Sequence, residues 1–327
     1  MRIFSILFLL IGVGVLACST DDGTFPSSFM RHDANPILSP DFEWEGDWVH
    51  PYSVLRVGDE YWMWYGGIGG SMPNSVGLAF SDDGLSWHRY EDNPIFLPRP
   101  DAWDSLQLSH LTVIQEDSRF LAWYAGDPDN DRYLDFRIGY AESADGISWS
   151  RSSEPVIDLG PPGSWDSHFV VPAAVLHEES EYRMYYWGVS DPNDFRTWKM
   201  GLATSRDGLH WQKHAENPIF EGRPDSWEAG VLDMDIKKVG DVYYLVYQGN
   251  DVFNSPDRTR VGLAKSLDGI HWQRAREEPF FDNGTPESWD GQWTEGPTLL
   301  QVDDGWLMYY MGKPFDGPPQ IGVAISK

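Results

Sequence analysis

The stretch Ser81-Asp82-Asp83-Gly84-Leu85-Ser86-Trp87 decides how the rest of the chain is read. It returns as Ser143-Ala144-Asp145-Gly146-Ile147-Ser148-Trp149, as Ser205-Arg206-Asp207-Gly208-Leu209-His210-Trp211, and as Ser266-Leu267-Asp268-Gly269-Ile270-His271-Trp272. The Trp-to-Trp spacings are 62, 62 and 61 residues. Self-similarity at a fixed period of this size marks an architecture built by repetition. Ahead of each phrase runs an alternating segment such as Val76-Gly77-Leu78-Ala79-Phe80 or Ile138-Gly139-Tyr140-Ala141-Glu142. Asp-Gly between alternating runs signals a hairpin, since both central residues tolerate positive φ.

Working outward, each unit carries a second, aromatic strand at residues 61–65, 120–124, 182–186, 243–247 and 306–310. A third, apolar strand precedes it, as in Ser53-Val54-Leu55 or Ala173-Ala174-Val175-Leu176. No segment has a helical period. Repeated four-stranded antiparallel sheets arranged radially form a propeller, and five aromatic strands predict an all-β, five-bladed β-propeller. The last unit stops at Ile321-Gly322-Val323-Ala324-Ile325-Ser326, without its turn and outer strand. That strand stands at the front, where residues 30–38 match residues 212–220. An N-terminal strand completing the last blade would close the ring and cover its edges.

Length (327 residues) leaves domain number open, but 15% aromatic residues, 17 of them Trp, exclude a disordered chain. A formal charge of −27, with no basic stripe, argues against nucleic acid as a partner. Residues 1–17 place one positive charge before a short apolar run ending at Ala17, the pattern of a secretory signal. The lone cysteine, Cys18, follows immediately, in the context Val15-Leu16-Ala17-Cys18 of a bacterial lipobox. The expected organisation is a signal peptide (1–17), a tether (18–28) and the propeller (29–327). Cys18 would be lipidated and hold an otherwise monomeric protein in the cell envelope, on the periplasmic or outer face.

The repeated Ser-x-Asp-Gly phrase, the Asn-Pro-Ile-Phe/Leu segments and Trp165-Asp166-Ser167-His168-Phe169-Val170-Val171-Pro172 resemble the five-bladed propeller superfamily of glycosidases. That superfamily includes the arabinanase/xylosidase, invertase/levansucrase and mannoside-phosphorylase-like families. The resemblance implies a site where the innermost strands meet at the central channel. The repeat diverges there: Trp48-Val49-His50-Pro51-Tyr52, Leu108-Ser109-His110, residues 165–172, Leu232-Asp233-Met234-Asp235 and Thr294-Glu295-Gly296-Pro297.

Glycoside hydrolysis commonly needs a carboxylate pair, one acting as acid and one as base or nucleophile. Glu295-Gly296-Pro297 matches the Glu-Gly-Pro context of the arabinanase-like acid, though in the fifth blade. His50-Pro51 stands where the first-blade Asp-Pro base of that family would be. Asp233 and Asp235, two apart on a strand and so expected on one face, are the nearest replacement carboxylates, with His50 as a non-carboxylate alternative. Trp48, Tyr52 and Trp293, with Trp44, are candidate sugar platforms. His110, His168, Asp127 and Arg137 are further candidate contacts. No P-loop, dinucleotide fingerprint or nucleophile elbow is present, and the one cofactor the residues suggest is a divalent metal. His50, His110 and His168, joined by Asp233 or Glu295, could hold a divalent metal. Two functions follow: an envelope-anchored glycoside hydrolase acting on oligosaccharides, furanosidic ones among them, or a non-catalytic carbohydrate-binding lipoprotein.

Overall fold

The computed structural model describes residues 25–128, 134–251 and 258–327, so the signal-peptide and Cys18 readings lie outside the described residues. Among these residues strands alternate with turns and loops, and the only helices are two 3-10 turns, Glu43–Glu45 and Phe195–Thr197. Five antiparallel meanders follow one another. The first three run Trp48–Val57, Glu60–Ile68, Ser75–Ser81; Gln107–Glu116, Arg119–Asp127, Arg137–Ser143; and Phe169–Glu178, Glu181–Val189, Lys199–Ser205. The last two run Gly230–Val239, Val242–Asp251, Arg258–Ser266 and Trp293–Val302, Gly305–Lys313, Gln320–Ser326. The first four add a two-residue outer strand of their own, such as His88–Arg89. The fifth takes Phe29–Arg31 from the N-terminus, in the antiparallel register Phe29↔Ser326, Met30↔Ile325 and Arg31↔Ala324. A single parallel bridge, Thr259↔Trp293, joins the fourth and fifth meanders into one eight-stranded sheet.

The first strands of the meanders pack side by side in chain order, and the fifth returns to contact the first. The repeated Asp-Gly turn locks neighbours together. Its geometry departs from a two-residue hairpin: only the glycine takes positive φ (Gly84, +73°), and the aspartate acts through its side chain. Asp83 Oδ1 accepts from the Leu85 and Ser86 amides at 2.8 and 2.7 Å, an Asx-type turn. The turn of one meander receives an aromatic group of the preceding one: Trp64 Nε1 donates to Gly146 O, Trp123 Nε1 to Gly208 O, and Tyr309 OH to Gly84 O. The last of these runs from the fifth meander back to the first.

Just ahead of each meander a buried acid follows a Trp: Glu45, Asp104, Asp166, Glu228 and Asp290, none more than 3% exposed. Each accepts from the hydroxyl of a strand tyrosine: Tyr65, Tyr124, Tyr186, Tyr247 and Tyr310. Each also pairs with a cation from the outer edge: Arg89, Arg151, Lys213, Arg274 and, for Asp290, Arg31 at 2.6 Å. The fifth cation therefore comes from the N-terminal strand, so that strand supplies charge as well as hydrogen bonds. A buried carboxylate is tolerated when paired and hydrogen-bonded, and is costly when its partner is removed. Trp44 belongs to this girdle and not to a sugar platform: it packs on Tyr65 at 5.4 Å, and a Cβ on Gly77 would lie 2.3 Å from its ring.

Candidate active site

Every innermost strand carries a register shift at one level: between Pro51 and Ser53, Ser109 and Leu111, Pro172 and Ala174, Leu232 and Met234, and Glu295 and Thr298. A bulge adds an unpaired residue and re-aims its side chain. Here the unpaired residues are Tyr52, His110, Ala173, Asp233 and the pair Gly296-Pro297. Three of them hold left-handed backbone: His110 (φ 41°), Asp233 (φ 30°) and Gly296 (φ 56°). For His110 and Asp233 that conformation stores about 1–3 kcal/mol of strain each, as functional sites often do.

The bulges gather three groups. His110 Nε2 lies 2.7 Å from Asp233 Oδ1, and His50 Nε2 lies 3.4 Å from Asp233 Oδ2. His50 is 4% exposed, and its Nδ1 is 3.0 Å from Pro51 O. A carbonyl only accepts, so Nδ1 donates to it, and Nε2 is the ring nitrogen that faces the carboxylate. No hydrogen-bond partner for that Nε2 exists among the described residues. His110 is oriented by Ser109 Oγ, 2.7 Å from its Nδ1. Gly296 makes room for His50: a Cβ there would meet the imidazole Cε1 at 2.2 Å. Burial disfavours the Asp233 anion, but the two imidazoles outweigh that cost and hold its carboxyl far below the usual carboxylate range.

Glu295 has the opposite balance. Burial first, and the Asp233 charge second, push its carboxyl up to about 7, with His50 and Lys313 partly offsetting them. Two carboxyls in one mouth thus favour opposite protonation states near neutral pH. Trp48 and Trp293 face each other at 6.3 Å across the rim, both partly exposed, and Lys313 Nζ sits 4.6 Å over the Trp293 ring.

Other expected residues land elsewhere. Counted back from the hairpin, Val171 shares the level of His50 and Glu295. His168 lies three residues farther, before its strand begins, or about 10 Å along an extended chain. It does not join His50 and His110; Asp233 takes that place. Asp235 does not share the Asp233 site, because the bulge intervenes. Its Oδ2 accepts from the Leu299 amide at 2.7 Å and pairs with Lys237 at 3.1 Å, tying the fourth meander to the fifth. It lines a separate channel cavity of about 230 Å³ together with Ser53, Thr112, Ala174 and Thr298. Tyr52 supports the imidazoles instead of offering an open platform: it is 8% exposed, with its ring 5.3 Å from His50 and 5.1 Å from His110. Asp127 is fully buried, accepting from Gln107 and from the Asp135 amide. Arg137 is taken up by Asp135 and Asp158. A wide concavity of about 1000 Å³ opens at the opposite, hairpin end of the inner strands. There Glu178 accepts from Lys238 and Tyr243, whereas the buried His50–His110–Asp233 cluster lies at the mouth.

Sequence reasoning missed the role of Trp187, which packs edge-on to His110 at 5.4 Å, and the Trp-acid girdle, whose signal is a Trp-Asp/Glu pair in every unit. The fold is that of propeller-like glycoside hydrolases. A solved member of the GH130 family of mannoside phosphorylases superposes with a TM-score of 0.72 at 16% identity, covering 93% of this chain and 97% of that one. That family is described as containing glycoside hydrolases that target β-1,2 mannosidic linkages in Candida mannan. By sequence, a β-1,2-mannobiose phosphorylase of Thermoanaerobacter is 26% identical over 231 residues, 53% of this chain and 75% of its own. An uncharacterized protein of Mycobacterium tuberculosis is 28% identical over 209 residues, 61% of this chain and 67% of its own. No protein-family model matches the chain. These similarities show the fold and do not single out the arabinanase or invertase branches.

Proposed function

We propose that the five meanders form a closed five-bladed β-propeller whose channel mouth cleaves a glycosidic bond of an oligosaccharide, with Glu295 as general acid. The observation that carries this reading is the split between two neighbouring carboxyls. Glu295 is held at about 7 and is available to protonate a leaving oxygen, while Asp233 stays ionised beside it. Environments that push paired carboxyls apart assign acid and anion roles. Water adds to the anomeric carbon as the bond to the protonated leaving oxygen breaks, with Asp233 taking the water's proton and its charge offsetting the positive charge that develops at that carbon. Trp48 and Trp293 offer ring faces for sugars on either side.

Hydrolysis is placed ahead of phosphorolysis because, among the described residues, no Arg or Lys lines the small His50–His110–Asp233 cavity, Lys313 standing at the rim over Trp293, while the ionised Asp233 would repel a phosphate. Mannosides head the substrate panel on the strength of the relatives, with furanosides as the second class. The test is product analysis on β-mannosides, arabinofuranosides and xylosides, with and without inorganic phosphate. Free sugar released independently of phosphate supports the reading, sugar phosphate would replace it with phosphorolysis, and binding without turnover would leave a carbohydrate-binding protein. We further propose that Cys18 anchors the protein in the envelope through lipid; Cys18→Ser should move it from the membrane to the soluble fraction.

A further inference from the structure

We propose that His50, His110 and Asp233 form a binding site for one divalent cation of the zinc type, at the floor of the mouth. Three side chains from three different meanders converge, and their donor atoms all lie within 4.8 Å of one another. The two edges that meet Asp233 measure 2.7 and 3.4 Å. Donors around a tetrahedral ion at about 2.1 Å lie about 3.4 Å apart, so small side-chain shifts suffice.

The His50 tautomer supports this directly. Its Nδ1 donates to the Pro51 carbonyl, so Nε2, buried and without a hydrogen-bond partner among the described residues, is the nitrogen positioned to take an ion. A carboxylate, backbone carbonyl or water on the far nitrogen is the usual support for a ligating imidazole, and the Pro51 carbonyl fills that place for His50. His110 differs in that its Nε2 now meets Asp233 Oδ1 at 2.7 Å, but the Ser109 hydroxyl 2.7 Å from its Nδ1 can accept a proton there when Nε2 turns to an ion. The space also matches. The residues enclose a cavity of about 20 Å³, roughly the size of one water or ion, and Gly296 keeps it open, since a Cβ there would sit 2.2 Å from His50.

Donor chemistry selects the metal. Two imidazoles and one carboxylate suit zinc and its late first-row neighbours, whereas calcium and magnesium take mainly oxygen ligands. Three protein ligands leave at least one position for water or a sugar hydroxyl, the pattern of an open site rather than a structural one. The ion would share the mouth with Glu295. This inference therefore concerns the same site as the glycosidase reading, but its test needs no turnover.

The test is calorimetric titration of chelator-treated full-length protein with zinc chloride, with calcium chloride as comparison, and melting temperature as a second readout. The expected result is one zinc per chain, with calcium binding at least 100-fold weaker. Asp233→Asn and His110→Ala should each weaken zinc at least 100-fold, and zinc should raise the melting temperature of the wild type but not of these variants. His210→Ala and His271→Ala, which remove exposed imidazoles paired with Asp207 and Asp268, should bind zinc as the wild type does. Circular dichroism on each variant separates lost binding from lost folding, and His50→Gln provides a third ligand change should one variant fail to fold. No zinc binding at millimolar concentration, undiminished binding in Asp233→Asn, or calcium binding as tight as zinc would each overturn the proposal. Turnover without zinc binding would remove this inference alone; zinc binding without turnover would remove only the glycosidase reading.

Discussion

Replacing Glu295 with glutamine is expected to do two opposite things, stabilising the fold while disabling the chemistry. The folded value of about 7 lies above the ordinary 4.5, so between those pH values the folded protein binds the proton more tightly than the unfolded chain. The stabilising contribution of that proton is complete below about pH 4.5 and is lost as pH rises through 7. At pH 8 an ionised Glu295 in the mouth therefore costs about 2–3 kcal/mol, from about 1.4 kcal/mol per pH unit with some allowance for partial exposure. Glutamine mimics the neutral acid and removes that cost. In metal-free protein its melting temperature should exceed that of the wild type by roughly 4–8 °C at pH 8, with little difference at pH 4.5. Hydrolysis of substrates with poor leaving groups should fall about 10²- to 10⁴-fold, and of activated aryl glycosides much less. The assay pairs thermal melts at the two pH values with rates on the two substrate types. A melting difference that is the same at both pH values, or an equal rate loss on both substrates, would refute the reasoning.

Asp233→Asn removes the charge that helps raise Glu295, so the alkaline limb of the pH–rate profile should move to lower pH; an unmoved limb would argue that the two carboxyls are not coupled. Arg31→Ala leaves buried Asp290 with the Tyr310 hydroxyl but no cation and should cost about 3–5 kcal/mol in urea denaturation, whereas removing the exposed Arg56–Asp303 pair should cost at most about 0.5 kcal/mol; similar losses would show that the N-terminal strand does not complete the girdle. Asp235→Ala should cost about 1–3 kcal/mol by leaving the Leu299 amide without its acceptor, with KM unchanged, and a selective loss of kcat would return it to the catalytic set. Gly296→Ala should abolish activity in a folded protein, because its Cβ would collide with the His50 ring at a positive φ; full activity would sink the assignment of this mouth.

The repeat, the strand content and the N-terminal strand's pairing with the chain's end were legible in the sequence, because they rest on period and alternation. Four copies of Ser-x-Asp-Gly-x-x-Trp fall at nearly equal spacing, and a pattern at the front fills the gap at the back. Glu295, His50, His110 and Asp233 were legible as candidates for the opposite reason: they differ where everything around them repeats. What each does depends on bulges that no alternating pattern records. Period two placed Asp233 and Asp235 on one face, yet one unpaired residue turns Asp233 toward two histidines while Asp235 binds the Leu299 amide of the next meander. His168 looked equivalent to His50 and His110 and is not, because its distance from the hairpin differs. A bulge is set by contacts with a neighbouring strand, and a pKa by burial and charges brought from distant residues. Both arise only once the inner strands pack around a common centre, so residue types and repeat came from sequence, while register, tautomer and protonation were decided by the folded structure.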